Sequence, residues 1–148
     1  MNYTGETTMP IEDLAREDVI SAGPETSVPE LAQHMRDENV GSVVITNDNI
    51  PAGIVTDRDL TTRVLAEGTA PTDHAAADVM STDLCTVDPG AGFYEAAQVM
   101  SENGVRRLPV CDENDELVGI ITADDLTELL ADENQQLASV IQAQRPEY

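Results

Sequence analysis

The sequence contains no lysine and very few aromatic residues. Its 148 residues include 29 Asp and Glu but only 7 Lys or Arg, all of them Arg, which gives a formal net charge of −22. Such a charge repels a phosphate backbone and an anionic lipid surface, so we expect no nucleic-acid and no membrane partner. Aromatic residues make up 3% of a chain whose hydrophobic fraction is 41%, which predicts an aliphatic core.

Cysteine and long apolar runs are also scarce. Two residues, Cys85 and Cys111, cannot form a disulfide framework, which favours reduced thiols and a cytoplasmic location. No apolar run approaches the roughly 18–20 residues of a membrane span, and the N-terminus lacks the features of a signal peptide. No nucleophile–base pair, paired-carboxylate arrangement or zinc-ligand spacing stands out, so we expect neither an enzyme, a catalytic cofactor nor a metal site.

The acid excess bears on the solution conditions in which the chain folds. Self-repulsion destabilises a compact acidic protein in dilute salt, whereas at molar salt the Debye length falls to about 3 Å. The acids are spread through apolar-patterned segments rather than gathered in a tail. Acid excess without lysine resembles the proteins of salt-in halophilic archaea; the alternative is an ordinary acidic cytoplasmic protein.

The chain repeats itself at an offset of 65 residues, which becomes 66 after an extra residue in the loop 112–116. Ala32-Gln33 then matches Ala97-Gln98, and Gly53-Ile54-Val55-Thr56 matches Gly119-Ile120-Ile121-Thr122. A tandem duplication is therefore predicted. Its parts are a first repeat at 11–66, a linker at 67–75, a second repeat at 76–132 and a C-terminal helical tail at 133–148.

Each repeat carries the same pattern of strands and helices. In the first repeat a short strand at 19–21 is followed by a helix with Val28, Leu31 and Met35 at helical spacing. Two strands, 42–46 and 53–56, and a second helix near Asp59 complete the unit. In the second repeat the corresponding strands are predicted at 84–87, 108–111 and 117–122, and the second helix near Asp125. The predicted fold is α+β, with the order β-α-β-β-α occurring twice. A unit of about 55 residues buries too little surface to be robust alone, so the two are expected to pack together.

A motif of the form Gly-aliphatic-aliphatic-Thr-x-x-Asp ends a strand and begins a helix in both repeats. It places Thr56 with Asp59, and Thr122 with Asp125, at helix N-termini. There a carboxylate can accept hydrogen bonds from a ribose diol, while the Thr hydroxyl and free N–H groups can meet a phosphate. The alternative is that Thr caps the helix and the acid lies in its first turn.

The segment 105–110 is the second candidate binding element. Pro109 interrupts a strand and is expected to leave backbone groups free to contact a base edge. Arg106 and Arg107 stand side by side and suit phosphate geometry; the alternative is salt bridging to the many acids. The matching positions of the first repeat are Gly41 and Ser42, so no cation is expected there.

Together these strings resemble a known family. ADVMSTDLCTVDPG and EAAQVMSENGVRRLPVCDENDELVGIITADDL are similar to the CBS domain, named after cystathionine β-synthase, and VGSVVITNDNIPAGIVTDRDL is a weaker copy. The resemblance covers about 11–132. It implies a pseudo-twofold pair of repeats, commonly dimerised into a flat disc. It also implies a cleft for adenosine-containing ligands such as AMP, ADP, ATP, NAD or S-adenosylmethionine, and regulation of an attached or partner protein.

The family geometry further implies two nucleotide-binding sites, each shared by both repeats. The first site would combine Thr56, Arg58 and Asp59 with Thr86, Arg106, Arg107 and Pro109. The second would combine Thr122 and Asp125 with Ser21, Gly41 and Ser42. From the placement of Arg, the first site is expected to prefer phosphorylated ligands. The second is expected to be electronegative, and either empty or filled by an adenosine moiety carrying little phosphate charge.

Two functions therefore compete at this stage. One is a regulatory sensor of an adenosine ligand that acts on an unknown effector protein in trans. The other is a dimeric scaffold without nucleotide binding. The apolar stripe from Leu126 to Ile141 either covers the chain's own surface or contacts a partner, and we expect it to contribute to a homodimer.

Overall fold

Two small units, each built of strands and helices, form the part of the chain that the computed structural model describes, which is residue 11, residues 15–128 and residues 130–131. The predicted tail at 133–148 lies outside the described residues. The elements of the first unit are β1 (Ser21–Ala22), α1 (Val28–Glu38), β2 (Ser42–Asn47), β3 (Ile50–Thr56) and α2 (Asp57–Leu60), which runs on as a π-helical turn (Thr61–Leu65).

The second unit repeats this order. After a 3₁₀ turn (Pro71–Asp73) come α3 (Ala76–Val79), α4 (Phe93–Asn103), β4 (Arg107–Cys111), β5 (Leu117–Thr122) and α5, helical at 123–128. The predicted strand at 84–87 is reduced to one parallel bridge between Val87 and Val110. The predicted α+β class with two repeats is confirmed. None of the described helices has the length and apolarity needed to cross a bilayer.

The two sheets share one topology. In the first, β1 pairs with β2 in parallel and β2 pairs with β3 antiparallel. In the second, β4 pairs with β5 antiparallel, and the Val87 bridge takes the place of β1. Register shifts follow Ile45 in one sheet and Val110 in the other. The duplication therefore extends to the irregularities of the strands.

Helix α1 is capped at both ends. The Ser27 side chain accepts a hydrogen bond from the backbone N–H of Glu30 at 3.4 Å, which satisfies one of the free donors of the first turn. Val28, Leu31 and Met35 are buried, which confirms the predicted apolar face. The helix ends at Asn39, whose φ of 54° is a left-handed cap conformation.

The segments that precede each repeat's first strand are exchanged between the two units. Ile11, fully buried, packs in the core of the second unit. Ala76 and Val79 pack in the core of the first. The backbone follows the same rule, because Arg16 bridges Ile120 on β5 and Ser81 bridges Ile54 on β3. Arg16 and Ser81, like Ile11 and Ala76, are 65 residues apart, so the exchange obeys the internal repeat.

A third apolar cluster joins the two units. It consists of Val44, Leu117 and Ile120, with Val19 and Ile54 packed against it. These side chains come from strands of both sheets and from the segment before β1. The space on either side of this cluster is where the candidate binding cavities lie.

Candidate functional site

Two cavities lie between the units and are related by the internal repeat. One, of about 830 Å³, is lined by Thr56 and is called the Thr56 cavity; the other, of about 410 Å³, is the Thr122 cavity. Their linings correspond at the offsets of the repeat. The corresponding pairs are Asp18 and Asp83, Val19 and Leu84, Ile20 and Cys85, Val40 and Val105, Ile120 and Ile54, and Thr122 and Thr56.

The Thr56 cavity combines groups from both repeats. Thr56 and Ile54 come from the end of β3, while Leu84, Arg106 and Arg107 come from the second repeat. Of the residues expected at the first site, the structure brings Thr56, Arg106 and Arg107 together here. Asp83 is the one acid among the described residues of this lining, so two guanidinium groups face one carboxylate there.

The sequence predicted no cation at the second site, but the Thr122 cavity contains two. Thr122, Gly41 and Ser42 line it as expected, but Arg16 and Arg107 do so as well. The expectation was wrong because it counted only residues at the matching positions of the first repeat. Arg16 enters with the exchanged segment, and Arg107 reaches across from β4. Among its described residues the lining still carries three acids, Asp18, Glu38 and Asp124, against these two Arg.

Several predicted site residues lie outside both linings. Ser21 and Thr86 are exposed, and the residues just before each of them line the cavities instead. Arg58 is exposed on α2 and also lies outside both cavity linings. For these three residues a contact with ligand stays a prediction. The lining residues that sequence reasoning missed, Val19-Ile20 and Leu84-Cys85, could have been found from their match at offset 65.

Pro109 requires a correction. Its side chain is fully buried, and its carbonyl accepts a hydrogen bond from the backbone N–H of Val87 at 3.1 Å. It also pairs with Ile120 in the β4–β5 ladder. The missing N–H of proline therefore does not leave a free backbone edge toward a cavity, because the neighbouring bridge uses the carbonyl.

The two strand-to-helix corners are closed by reciprocal caps. The backbone N–H of Thr56 donates to Oδ2 of Asp59 at 2.9 Å, and the N–H of Asp59 donates to Oγ1 of Thr56 at 3.1 Å. Thr122 and Asp125 repeat this at 3.0 and 3.1 Å. Neither Asp is in a cavity lining. The capping alternative is therefore realised, and it fixes the position of each Thr.

The second carboxylate oxygen of each capping Asp faces an Arg. Oδ1 of Asp59 is 3.8 Å from Nε of Arg63, and Oδ1 of Asp125 is 3.4 Å from Nη2 of Arg16. Arg16 belongs to the exchanged segment, so this second pair joins the two units. In this arrangement the carboxylates position the corners, and the Thr side chains are the corner groups that reach the cavities.

The paired arginines differ in their surroundings. Arg106 forms a salt bridge with Asp124 at 3.3 Å, with both side chains more than two-thirds exposed. An ion pair so exposed contributes little to stability and can be given up to a ligand. Arg107 is half-buried, and within residues 15–128 no carboxylate lies within 4.0 Å of its guanidinium.

The two cysteines also differ. Cys85 is half-buried and lines the Thr56 cavity, whereas Cys111 is buried in β4. Burial, followed by the charges of nearby aspartates, raises the pKa of the Cys111 thiol from 9.0 to about 11. Among the described residues, no group of three His, Cys, Asp or Glu is placed to hold a metal ion.

The Cys111 thiol predicts a loss of stability in alkali. Its folded-state pKa lies above the unfolded value, so the neutral thiol favours the folded state below pH 9, and this contribution is lost as the pH rises toward about 11. In urea titrations from pH 8 to 11, Cys111→Ala should show a flatter decline than the unsubstituted chain. Equal slopes for Cys111→Ala and the unsubstituted chain would contradict the assignment.

The fold and the paired cavities define a tandem module of two CBS repeats. The family model of the CBS domain matches residues 11–66 and 76–132. The chain belongs to the CBS domain family.

Curated relatives come from archaea and bacteria. An uncharacterized protein of Methanopyrus kandleri is 39% identical over 120 residues, which cover 80% of this chain but only 61% of that protein. The CBS domain-containing protein YhcV of Bacillus subtilis is 33% identical, with 78% of this chain and 81% of the relative covered. Hypoxic response protein 1 of Mycobacterium tuberculosis is 34% identical, with 77% and 80% covered.

Solved structures share the fold. A crystal structure of Hypoxic Response Protein I with two coordinated zinc ions has a TM-score of 0.73 at 32% identity, covering 81% of this chain and 98% of that one. A CBS domain pair in complex with 5′-methylthioadenosine and S-adenosyl-L-methionine has a TM-score of 0.77 at 22% identity, covering 85% and 98%. At that identity, the second likeness concerns the fold alone.

Proposed function

We propose that this protein is a regulatory module that senses adenosine-containing ligands in the two cavities between its repeats. The observation that carries the proposal is the pairing of the cavities. Each places a Thr from one repeat's strand-to-helix corner opposite aliphatic side chains of the other repeat. A structural neighbour holding 5′-methylthioadenosine and S-adenosyl-L-methionine supports the choice of ligand class.

In the Thr56 cavity, chemistry favours a phosphorylated ligand such as AMP, ADP or ATP. Aliphatic groups of Ile54, Leu84 and Val105 suit an adenine ring, and the Thr56 hydroxyl suits a ribose. Arg106 and Arg107 then supply charge for phosphate. The acid majority of the Thr122 cavity instead favours an adenosine moiety with little phosphate charge, such as S-adenosylmethionine.

The proposed output is regulation rather than catalysis. Because each cavity has walls from both repeats, a ligand that fills it favours one relative angle of the repeats over others. We propose that an effector protein responds to this angle in trans, in the cytoplasm, and that two modules associate as a homodimer.

We further propose that the module works at high salt, as a protein of halophilic-archaeal type. The supporting observations are the net charge of −22 and the absence of lysine. No polar or charged residue is fully buried among those the structure describes, so the acids there lie where solvent ions can screen them.

The scaffold alternative has one observation in its favour. In each capping aspartate one carboxylate oxygen accepts a backbone N–H and the other faces an Arg. Neither aspartate therefore offers a free carboxylate to a ribose diol. A module whose corners serve only as caps would join partners without binding a nucleotide.

Thermal-shift and calorimetric titrations in molar KCl separate the two functions. The compounds are AMP, ADP, ATP, NAD and S-adenosylmethionine. A ligand that binds only the folded state stabilises it by about 2.7 kcal/mol at 100 times its Kd, and the melting temperature rises accordingly. We expect at least one of the five to produce this rise; none doing so at millimolar concentration would favour the scaffold.

Arg106→Ala tests the assignment of the Thr56 cavity. Losing one charge-assisted contact to phosphate, worth about 1.5–3 kcal/mol, should weaken AMP binding there roughly tenfold or more while leaving adenosine nearly unchanged. The matched control is Arg36→Ala, which removes an exposed Arg from α1 that lines neither cavity. Equal losses for AMP and adenosine would contradict a phosphate contact.

A further inference from the structure

Arg107 is positioned between the two cavities. It is the first residue of β4, and it belongs to the lining of both the Thr56 cavity and the Thr122 cavity. Its Nη2 atom reaches the other repeat, because a Cβ added to Gly41 would lie 3.4 Å from it. The same guanidinium is thus near the groups that both cavities present to a ligand.

The internal repeat explains why this group has no counterpart. At the offset of 65 residues, Arg107 corresponds to Ser42, which lines the Thr122 cavity. Ser42 carries a short neutral side chain and cannot extend a charge across the pseudo-twofold axis. Of the two equivalent positions, 42 and 107, only position 107 therefore supplies a guanidinium, and that group serves both cavities.

The charge of Arg107 is also uncommitted in the described part of the chain. Arg16, Arg36, Arg63 and Arg106 each pair with a carboxylate within 4.0 Å there, whereas Arg107 and the exposed Arg58 do not; of these two, Arg107 lines the cavities. A carboxylate oxygen of Asp57 lies near it, also 3.4 Å from the position of a Cβ on Gly41, without forming such a pair. A half-buried, unpaired guanidinium is a strong attractor for an anionic ligand group.

We propose that the two cavities compete for Arg107, so that an anionic ligand in one weakens the binding of an anionic ligand in the other. This inference rests on the proposed function and adds its regulation. One guanidinium cannot give its full set of hydrogen bonds to two phosphates at once, so a phosphate in one cavity leaves fewer N–H donors for a phosphate in the other. The coupling is reciprocal, as linkage requires. A neutral adenosine ligand makes no demand on Arg107 and does not couple.

Substitutions of three arginines can distinguish a residue that serves both cavities from one that serves a single cavity. Arg106 lines only the Thr56 cavity, and Arg16 lines only the Thr122 cavity. Arg106→Ala and Arg16→Ala should each weaken one AMP-binding step and leave the coupling in place. Arg107→Ala should weaken both AMP steps and remove the coupling. Arg107→Gln, which keeps the side chain through Cδ without the charge, should do the same and so guards against a packing defect.

The experiment is isothermal titration calorimetry with AMP and with adenosine, at the lowest KCl concentration that keeps the protein folded. The acid majority of the Thr122 cavity already predicts a larger ratio of the second to the first stepwise Kd for AMP than for adenosine. Competition for Arg107 should widen this difference by about a further tenfold, a typical coupling between sites. Arg107→Ala should remove this further difference and leave only the one set by the intrinsic preference of each cavity. Ser42→Arg, which supplies a second guanidinium, should strengthen the weaker AMP step.

The possible results distinguish this inference from the proposed function. Equal ratios for AMP and adenosine in the unsubstituted chain would overturn the inference while leaving a two-site sensor. An Arg107→Ala effect confined to one AMP step would also overturn the inference and leave the sensor. Binding of adenosine without binding of AMP would have the same consequence. Absence of binding by both compounds and by the other adenosine ligands would overturn the proposed function itself, and the inference with it.

Discussion

Replacing Ile11 with Ala is expected to lower the free energy of unfolding by about 2–5 kcal/mol, the usual range for truncating a buried Ile. Ile11 is fully buried in the core of the second unit, although it is the first residue of the first repeat in the sequence. Its backbone N–H also donates to the carbonyl of Ala91 at 2.8 Å. Urea titration in molar KCl measures the change.

The location of this loss tests the exchange of segments. Hydrogen exchange should show β4 and β5 losing more protection than β2 and β3 in Ile11→Ala. The control is Ile50→Ala, which removes the same atoms from a side chain that is 45% exposed and should change stability by about 0.5 kcal/mol or less. A loss of protection confined to the first unit would contradict the packing of Ile11.

The exchange is the part of the fold that sequence reasoning could not reach. The duplication at offset 65 predicted the order of elements in both units, because apolar spacing and turn residues are local signals. The pairing of Arg16 with Ile120, however, is made by two backbone hydrogen bonds, at 2.9 and 3.1 Å. Backbone groups are the same in every residue, so the sequence does not indicate which strand Arg16 pairs with. Ser81 and Ile54 pair in the same way, at 2.9 and 3.1 Å.

The candidate site was predictable to a similar extent. The corners containing Thr56 and Thr122 followed from a strand-to-helix motif, and both threonines line cavities in the structure. The distribution of Arg107 between two cavities was not predictable, because it depends on how far a side chain reaches across the pseudo-twofold axis. The prediction that Pro109 leaves free backbone groups was wrong because it considered only the missing N–H of proline. The carbonyl of Pro109 accepts a hydrogen bond from the N–H of Val87.

The exchanged segments connect stability to the site. Ser81 and Thr82 line the Thr56 cavity, and Arg16 and Asp18 line the Thr122 cavity. Each cavity therefore has a wall that comes from the segment exchanged between the repeats. A change that loosens this segment should reduce ligand affinity as well as stability, since the ligand must then order the wall when it binds.

Gly53→Ala is expected to lower the free energy of unfolding by about 1–3 kcal/mol, because it overpacks a contact that has no room. A Cβ on Gly53 would lie 2.6 Å from Sδ of Met80 and 2.8 Å from the carbonyl oxygen of Ser81. The Met side chain can move, but the Ser81 carbonyl is held by the N–H of Ile54 at 3.1 Å. The methyl group must therefore push the exchanged segment away from β3.

The internal repeat supplies a graded control for this prediction. Gly119, the counterpart of Gly53 at offset 66, would place a Cβ 3.1 Å from the carbonyl oxygen of Arg16, a tight but less severe contact. Gly90 has no heavy atom within 4 Å of that position. Urea titrations should rank the losses as Gly53→Ala, then Gly119→Ala, with Gly90→Ala unchanged or slightly stabilised. If Gly53→Ala and Gly90→Ala behaved alike, the close approach of the exchanged segment to β3 would be refuted.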